Sequence, residues 1–91
     1  MREAFYNYLL RLGYKDSTPS GAPSTISQYV KSIDNVVKWE KIGNWDQLIS
    51  RLPIILKEYD IGGSKAHLGE KSNRTVINAL YRFAEFFVSQ M

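Results

Sequence analysis

An all-α fold, a compact bundle of four to five helices, is what this 91-residue sequence predicts. Three observations carry the prediction. Apolar residues recur at three- and four-residue steps along several stretches of the chain, the spacing that lines one face of an α-helix. Between those stretches fall Gly, Pro, Ser and Asn, the residues that start and stop helices. Period-two alternation, the mark of a half-buried strand, appears nowhere in the sequence.

The elements follow in order. Phe5, Tyr8, Leu9 and Leu12 share one side of a first helix over 2–12, and Arg11 followed by Gly13 supplies its end: a cation near the last carbonyls and a residue free to turn left-handed. Two prolines, a glycine and several hydroxyl residues make 14–23 a surface loop. Ser24 caps a second helix whose apolar side carries Ile26, Tyr29, Val30, Ile33 and Val37, with Glu40 as a polar exception and Gly43 as the stop. Asn44 and Gln47 have capping-box spacing ahead of Trp45, Leu48, Ile49 and Leu52. Pro53 lacks an N–H and clashes with the preceding turn, so this region is expected as two short helices, 45–51 and 53–60, the second carrying Ile55, Leu56 and Tyr59. Gly62 and Gly63 close it. A last helix over 73–90, capped by Ser72, has one apolar stripe of Val76, Ala79, Leu80, Phe83 and Phe87 and a second of Ile77, Tyr81, Ala84 and Val88.

Composition narrows the function classes. One domain, 1–91, is expected, with room for a single core and too little chain for a nucleotide-binding α/β sheet. Hydrophobic residues make up 44% and aromatic residues 13%, enough to build that core without disulfides or metal. With no Cys and one His, His67, a Cys/His zinc site and a thiol nucleophile are excluded, and the expectation is no metal and no cofactor. A reducing, cytoplasmic setting fits the missing cysteines, no apolar run approaches the roughly 18–20 residues of a membrane span, and the N-terminal stretch lacks a signal-peptide cleavage pattern. The net charge of +3 favours an anionic partner only where the cations gather on one surface.

The stretch “GSKAHLGEKSNRTV”, 63–76, invites comparison with a phosphate-cradling loop. A Walker A loop has four residues between its glycines and a Lys directly after the second. Here five separate Gly63 from Gly69, and Glu70 stands before Lys71, so a nucleoside triphosphate is excluded and a phosphate of another kind is left open.

Two segments carry a family resemblance. “STISQYVKSIDNVVKW”, 24–39, is similar to the opening helix of the SAM-like core-binding domain that precedes the catalytic domain in tyrosine recombinases and phage integrases, with its Ser/Thr start, Thr-Ile, a Tyr three residues on and apolar residues at helical spacing. “SNRTVINALYRFAEFF”, 72–87, resembles that domain's closing helix, with Thr-Val early and aromatic residues late. The likeness spans about 24–88 and implies a bundle of four or so helices that clamps duplex DNA together with a separate catalytic domain, in DNA recombination. The family's Arg, His and Tyr nucleophile belong to that other domain, for which 91 residues leave no room; none of the six tyrosines takes the role. The 60–72 loop and the Trp-containing middle segment depart from the family pattern, so contacts to DNA are argued from local chemistry.

Lys65, His67, Lys71 and Arg74 lie within ten residues at the start of the last helix, where free N–H groups already attract anions. They are a phosphate anchor or, equally, solvated charges partly neutralised by Glu70. On the second helix Gln28, Lys31, Asn35 and Lys38 recur on one polar face able to meet phosphates and base edges, although most such faces are merely solvated. Arg82, with Asn78 and Arg74, extends a basic edge along the last helix. Ile77, Tyr81 and Val88 of the second stripe either dock a partner, such as a missing catalytic domain or a second copy, or are buried, the commoner fate. Trp39 and Trp45 are expected in or near the core first, exposed aromatics that stack on bases being the lesser reading. Glu58 and Asp60 do not face each other on a helix and His67 has no Ser and Asp companions, so no enzyme is expected. The leading expectation is a non-catalytic DNA-binding module contacting the phosphate backbone; the alternative is a protein–protein interaction or oligomerisation module using the last helix.

Overall fold

Two of the helix starts are set by side chains that give otherwise free N–H groups an acceptor. In the computed structural model, which describes residues 1–14 and 24–90 except the side chains of 72 and 73, five helices follow one another: α1 (Arg2–Arg11), α2 (Thr25–Trp39), α3 (Trp45–Tyr59), α4 (Ala66–Gly69) and α5 (Lys71–Ser89). No strand occurs among the described residues. The loop expected at 14–23 lies, from residue 15 on, outside them. The Ser24 hydroxyl accepts the Ser27 N–H at 3.0 Å and opens α2. The Asn44 side chain accepts the Gln47 N–H at 2.9 Å and opens α3, while Gln47 reaches back to the Gly43 N–H at 3.0 Å, one residue upstream of an ordinary capping box.

The ends follow backbone geometry. At the end of α1, Gly13 has φ 99°, and the N–H groups of Gly13 and Tyr14 bond to the carbonyls of Leu10 and Leu9, a Schellman motif with glycine in its left-handed position. The same motif closes α2 without glycine. Lys41 takes the left-handed position with φ 56°, and Lys41 and Ile42 bond back to Lys38 and Val37. The stop expected from Gly43 is thus supplied two residues earlier by a lysine.

Two further expectations are corrected. Helix α3 does not divide at Pro53 but runs through it from Trp45 to Tyr59. The proline is exposed, and Trp45, Leu48, Leu52, Ile55 and Tyr59 are all buried on the opposite side, so packing on both flanks outweighs the one missing bond to the Ile49 carbonyl. Helix α5 begins at Lys71, not at 73; Ser72 lies inside it, Glu70 holds the N-cap position without a side-chain cap, and the short α4 stands just before.

One core joins α1, α2, α3 and α5, formed by Phe5, Leu9, Ile26, Val30, Ile33, Val36, Trp45, Leu48, Leu52, Ile55, Tyr59 and the inner face of α5. Phe5 is its hub: its ring meets Trp45, Phe83 and Phe86 with centroids 5.8, 5.4 and 5.6 Å away, mostly edge to face. Phe86 is buried where the sequence suggested Phe87, which is half-buried; Leu12, expected on the inner side of α1, is exposed. Helix α2 packs along α5 in the most extensive helix pairing of the fold, which leaves a groove between the outward edges of the two. None of the described helices is long and apolar enough to cross a membrane.

Candidate nucleic-acid interface

On α2 the residues Ser27, Lys31, Asn35 and Trp39 stand at successive four-residue steps, forming one ridge. At 1.5 Å per residue the ridge is about 18 Å long. Facing it from α5 are Lys71 and Thr75, again four apart. With Gln28, Ser32 and Val76 these residues line an open groove of about 510 Å³. None of the lining residues is acidic. Lys31 has no ion pair among the described residues, and the Lys71 ammonium lies 5.7 Å from the centroid of the Trp39 ring, an attraction that holds it at the groove mouth without neutralising it. Two amides, three hydroxyls, two ammonium groups and a half-buried indole therefore share one concave surface.

The six cations expected on such a surface divide. Lys31 and Lys71, from segments forty residues apart, come together in the groove. Lys38 is exposed on α2, outside the groove lining and without an ion pair among the described residues. The other three lie beside acids: Lys65 and Arg74, expected either as part of a phosphate anchor or as solvated charges, and Arg82, expected on a basic edge of the last helix. Lys65 donates to Glu40 at 2.7 Å, with Glu58 at 3.9 Å, so its charge serves the fold. Arg74 lies 3.9 Å from Asp60 and adopts φ 68°, a left-handed conformation inside the first turns of α5. Arg82 is bound by both oxygens of Glu85, at 2.8 and 3.0 Å, and by the Tyr14 hydroxyl at 3.1 Å. His67 is exposed on α4.

The Glu40 cluster explains why Lys65 is withdrawn. The Glu40 side chain is 7% exposed and accepts from both Lys65 and the Tyr59 hydroxyl, the latter at 2.9 Å. Burial pushes the Glu40 carboxyl up, but the bonds from Lys65 and Tyr59 and the Lys65 charge outweigh it and leave it below the usual glutamate range. Burial and the same carboxylate drive the Tyr59 hydroxyl well above the ordinary tyrosine range. The cluster fastens the 60–70 turn to the ends of α2 and α3. Gly69 is pressed so closely beneath it that a Cβ would lie 2.0 Å from the Tyr59 carbonyl oxygen.

The three residues expected to bind a partner also separate. Ile77 is 1% exposed and belongs to the core, so it is not available for docking. Tyr81 and Val88 are exposed and line a shallow depression with Ala84, Glu85 and Ser89; the Tyr81 hydroxyl donates to Asp60. Trp45 is buried as expected, its indole N–H donating to Asp34 at 2.9 Å, while Arg2 takes the other Asp34 oxygen at 2.9 Å. Asp34 thus ties α1, α2 and α3 on the side of α2 away from the groove lining.

Sequence reasoning placed Trp39 in or near the core first, with stacking on bases as the lesser alternative, and missed its place in the groove. The signal was present: Trp39 continues the four-residue ladder of Lys31 and Asn35. Compared with known proteins, the chain matches no family model, no curated protein and no solved structure.

Proposed function

We propose that the chain is a non-catalytic DNA-binding module that neutralises backbone phosphates with Lys31 and Lys71 in the α2–α5 groove, Lys38 adding charge at its outer edge. The observation that carries this reading is the acid-free lining, which gathers two ammonium groups without an ion pair among the described residues, while Arg2, Lys65, Arg74 and Arg82 are paired with carboxylates. Phosphate contacts need clustered cations, and amides and hydroxyls between them supply the hydrogen bonds that fix a backbone in register. The segments that resemble the core-binding domain of tyrosine recombinases, 24–39 and 72–87, form α2 and most of α5, the two walls of this groove. The resemblance extends the proposal to a duplex DNA partner, a companion catalytic domain, a role in recombination and a cytoplasmic setting. Titration of duplex DNA at low salt tests it. The Lys31→Ala, Lys71→Ala double variant is expected to lose at least tenfold in affinity, while Lys65→Ala binds as the unaltered chain does. Equal loss in both variants contradicts the assignment.

A second reading, association through the outer face of α5, is supported by the exposure of Val88, at 65%, beside Tyr81. Sedimentation tests it: the reading requires a concentration-dependent dimer that Val88→Glu abolishes, and a monomer at all concentrations rejects self-association.

A further inference from the structure

We infer that the α2–α5 groove takes a single unpaired strand of DNA in preference to a continuous duplex, with one base stacked on Trp39. The inference rests on the proposed DNA-binding reading and deepens it. The axes of two packed helices stand about 8–10 Å apart, so the recess between their outward edges is narrow. A rigid duplex offers Lys31 and Lys71 its backbone phosphates alone, whereas a single strand also turns an unpaired base into the groove. Its length, about 18 Å from Ser27 to Trp39, suits a short run of nucleotides. The lining has the two ingredients by which proteins hold single strands, cations along the backbone path and an aromatic platform for a base.

Trp39 is the decisive residue. It lies half-buried at the end of the ridge, and the Lys71 ammonium is 5.7 Å from its ring centroid. A phosphate bound by Lys71 therefore places the attached nucleoside within reach of the indole. Stacking there leaves Lys71 facing the phosphate and the base covering the ring. Lys31, two turns before Trp39 on the same ridge, meets the next part of the backbone, and Asn35 between them offers an amide to a base edge. The other tryptophan, Trp45, is 8% exposed within the core and cannot meet a ligand. Any ligand-induced change in tryptophan emission at the surface therefore reports Trp39.

The test compares a labelled oligothymidylate with a duplex of equal length at low salt, following anisotropy and tryptophan emission together. The expected result is tighter binding of the single strand with quenching of emission, and loss of about tenfold in single-strand affinity in Trp39→Leu, the size of one lost base stack. An unchanged helical circular dichroism spectrum and a cooperative thermal transition show that Trp39→Leu folds; Trp39→Phe recovers part of the single-strand affinity. Should Trp39→Leu fail to fold, quenching of the unaltered chain by the strand and not by the duplex decides the matter. Duplex bound as tightly as the strand, or a strand that binds without quenching, overturns the inference and leaves the DNA-binding reading standing. Binding of neither at low salt overturns both.

Discussion

Glu40 shows at the scale of one residue how charge is spent inside this fold. It is the polar exception on the apolar side of α2, and its carboxylate is satisfied by Lys65 and Tyr59. Removing Lys65 leaves that nearly buried carboxylate with a single partner, so Lys65→Ala is expected to lower stability by about 1–3 kcal/mol, read from denaturant midpoints. The pH dependence follows from the depressed carboxyl. Its contribution is fully present above the usual glutamate pKa and is lost as pH falls through the lower folded value. The stability gap between the unaltered chain and Glu40→Gln is therefore expected to be constant near neutrality and to narrow below about pH 4.5, because the unfolded carboxyl takes up a proton there before the native one does. A gap that widens on acidification contradicts the account. In the sequence Glu40 was legible as an anomaly on an apolar face. Its partners were not, because they lie 19 and 25 residues away and only the fold brings them near.

At the scale of elements, local signals fixed the starts of α2 and α3 and the end of α1. Ser24, Asn44 and Gly13 act as their residue types require. Where the sequence misled, tertiary packing won. Pro53 lies on the exposed side of α3, and the core beneath holds the helix together across it. Pro53→Ala restores the Ile49 acceptor's partner, and an increase of about 1–3 kcal/mol in unfolding free energy is expected, part of the full proline penalty being offset by a looser unfolded chain. Lys41 occupies a left-handed position that favours glycine, so Lys41→Gly is expected to stabilise the end of α2 by about 1 kcal/mol, visible as a raised thermal midpoint. At Gly69 the expectation reverses. A methyl group there meets the Tyr59 backbone, and Gly69→Ala is expected to cost about 1–3 kcal/mol or more. Helix α4 escaped the sequence reading because four residues are too few to display a helical period.

For the whole molecule, the all-α class and the core were legible because periodicity alone selects the residues that turn inward; Phe5, Ile33, Leu48, Leu80 and Phe83 are all fully buried. The functional surface was legible only in part. Each cation is visible in the sequence, but which carboxylate each one meets depends on packing between distant segments, so Lys65, Arg74 and Arg82 could not be told apart from Lys31 and Lys71 before the fold was seen. The central claim is that Lys31 and Lys71 act together on one phosphate backbone. The most direct test is the dependence of DNA affinity on salt concentration, measured for the unaltered chain and for Lys31→Ala, Lys71→Ala. Each phosphate neutralised on duplex DNA adds about 0.9 to the slope of log affinity against log salt, so with duplex the double variant is predicted to have a slope shallower by about 1.8. An unchanged slope means that the groove does not carry the phosphate contacts and contradicts the account.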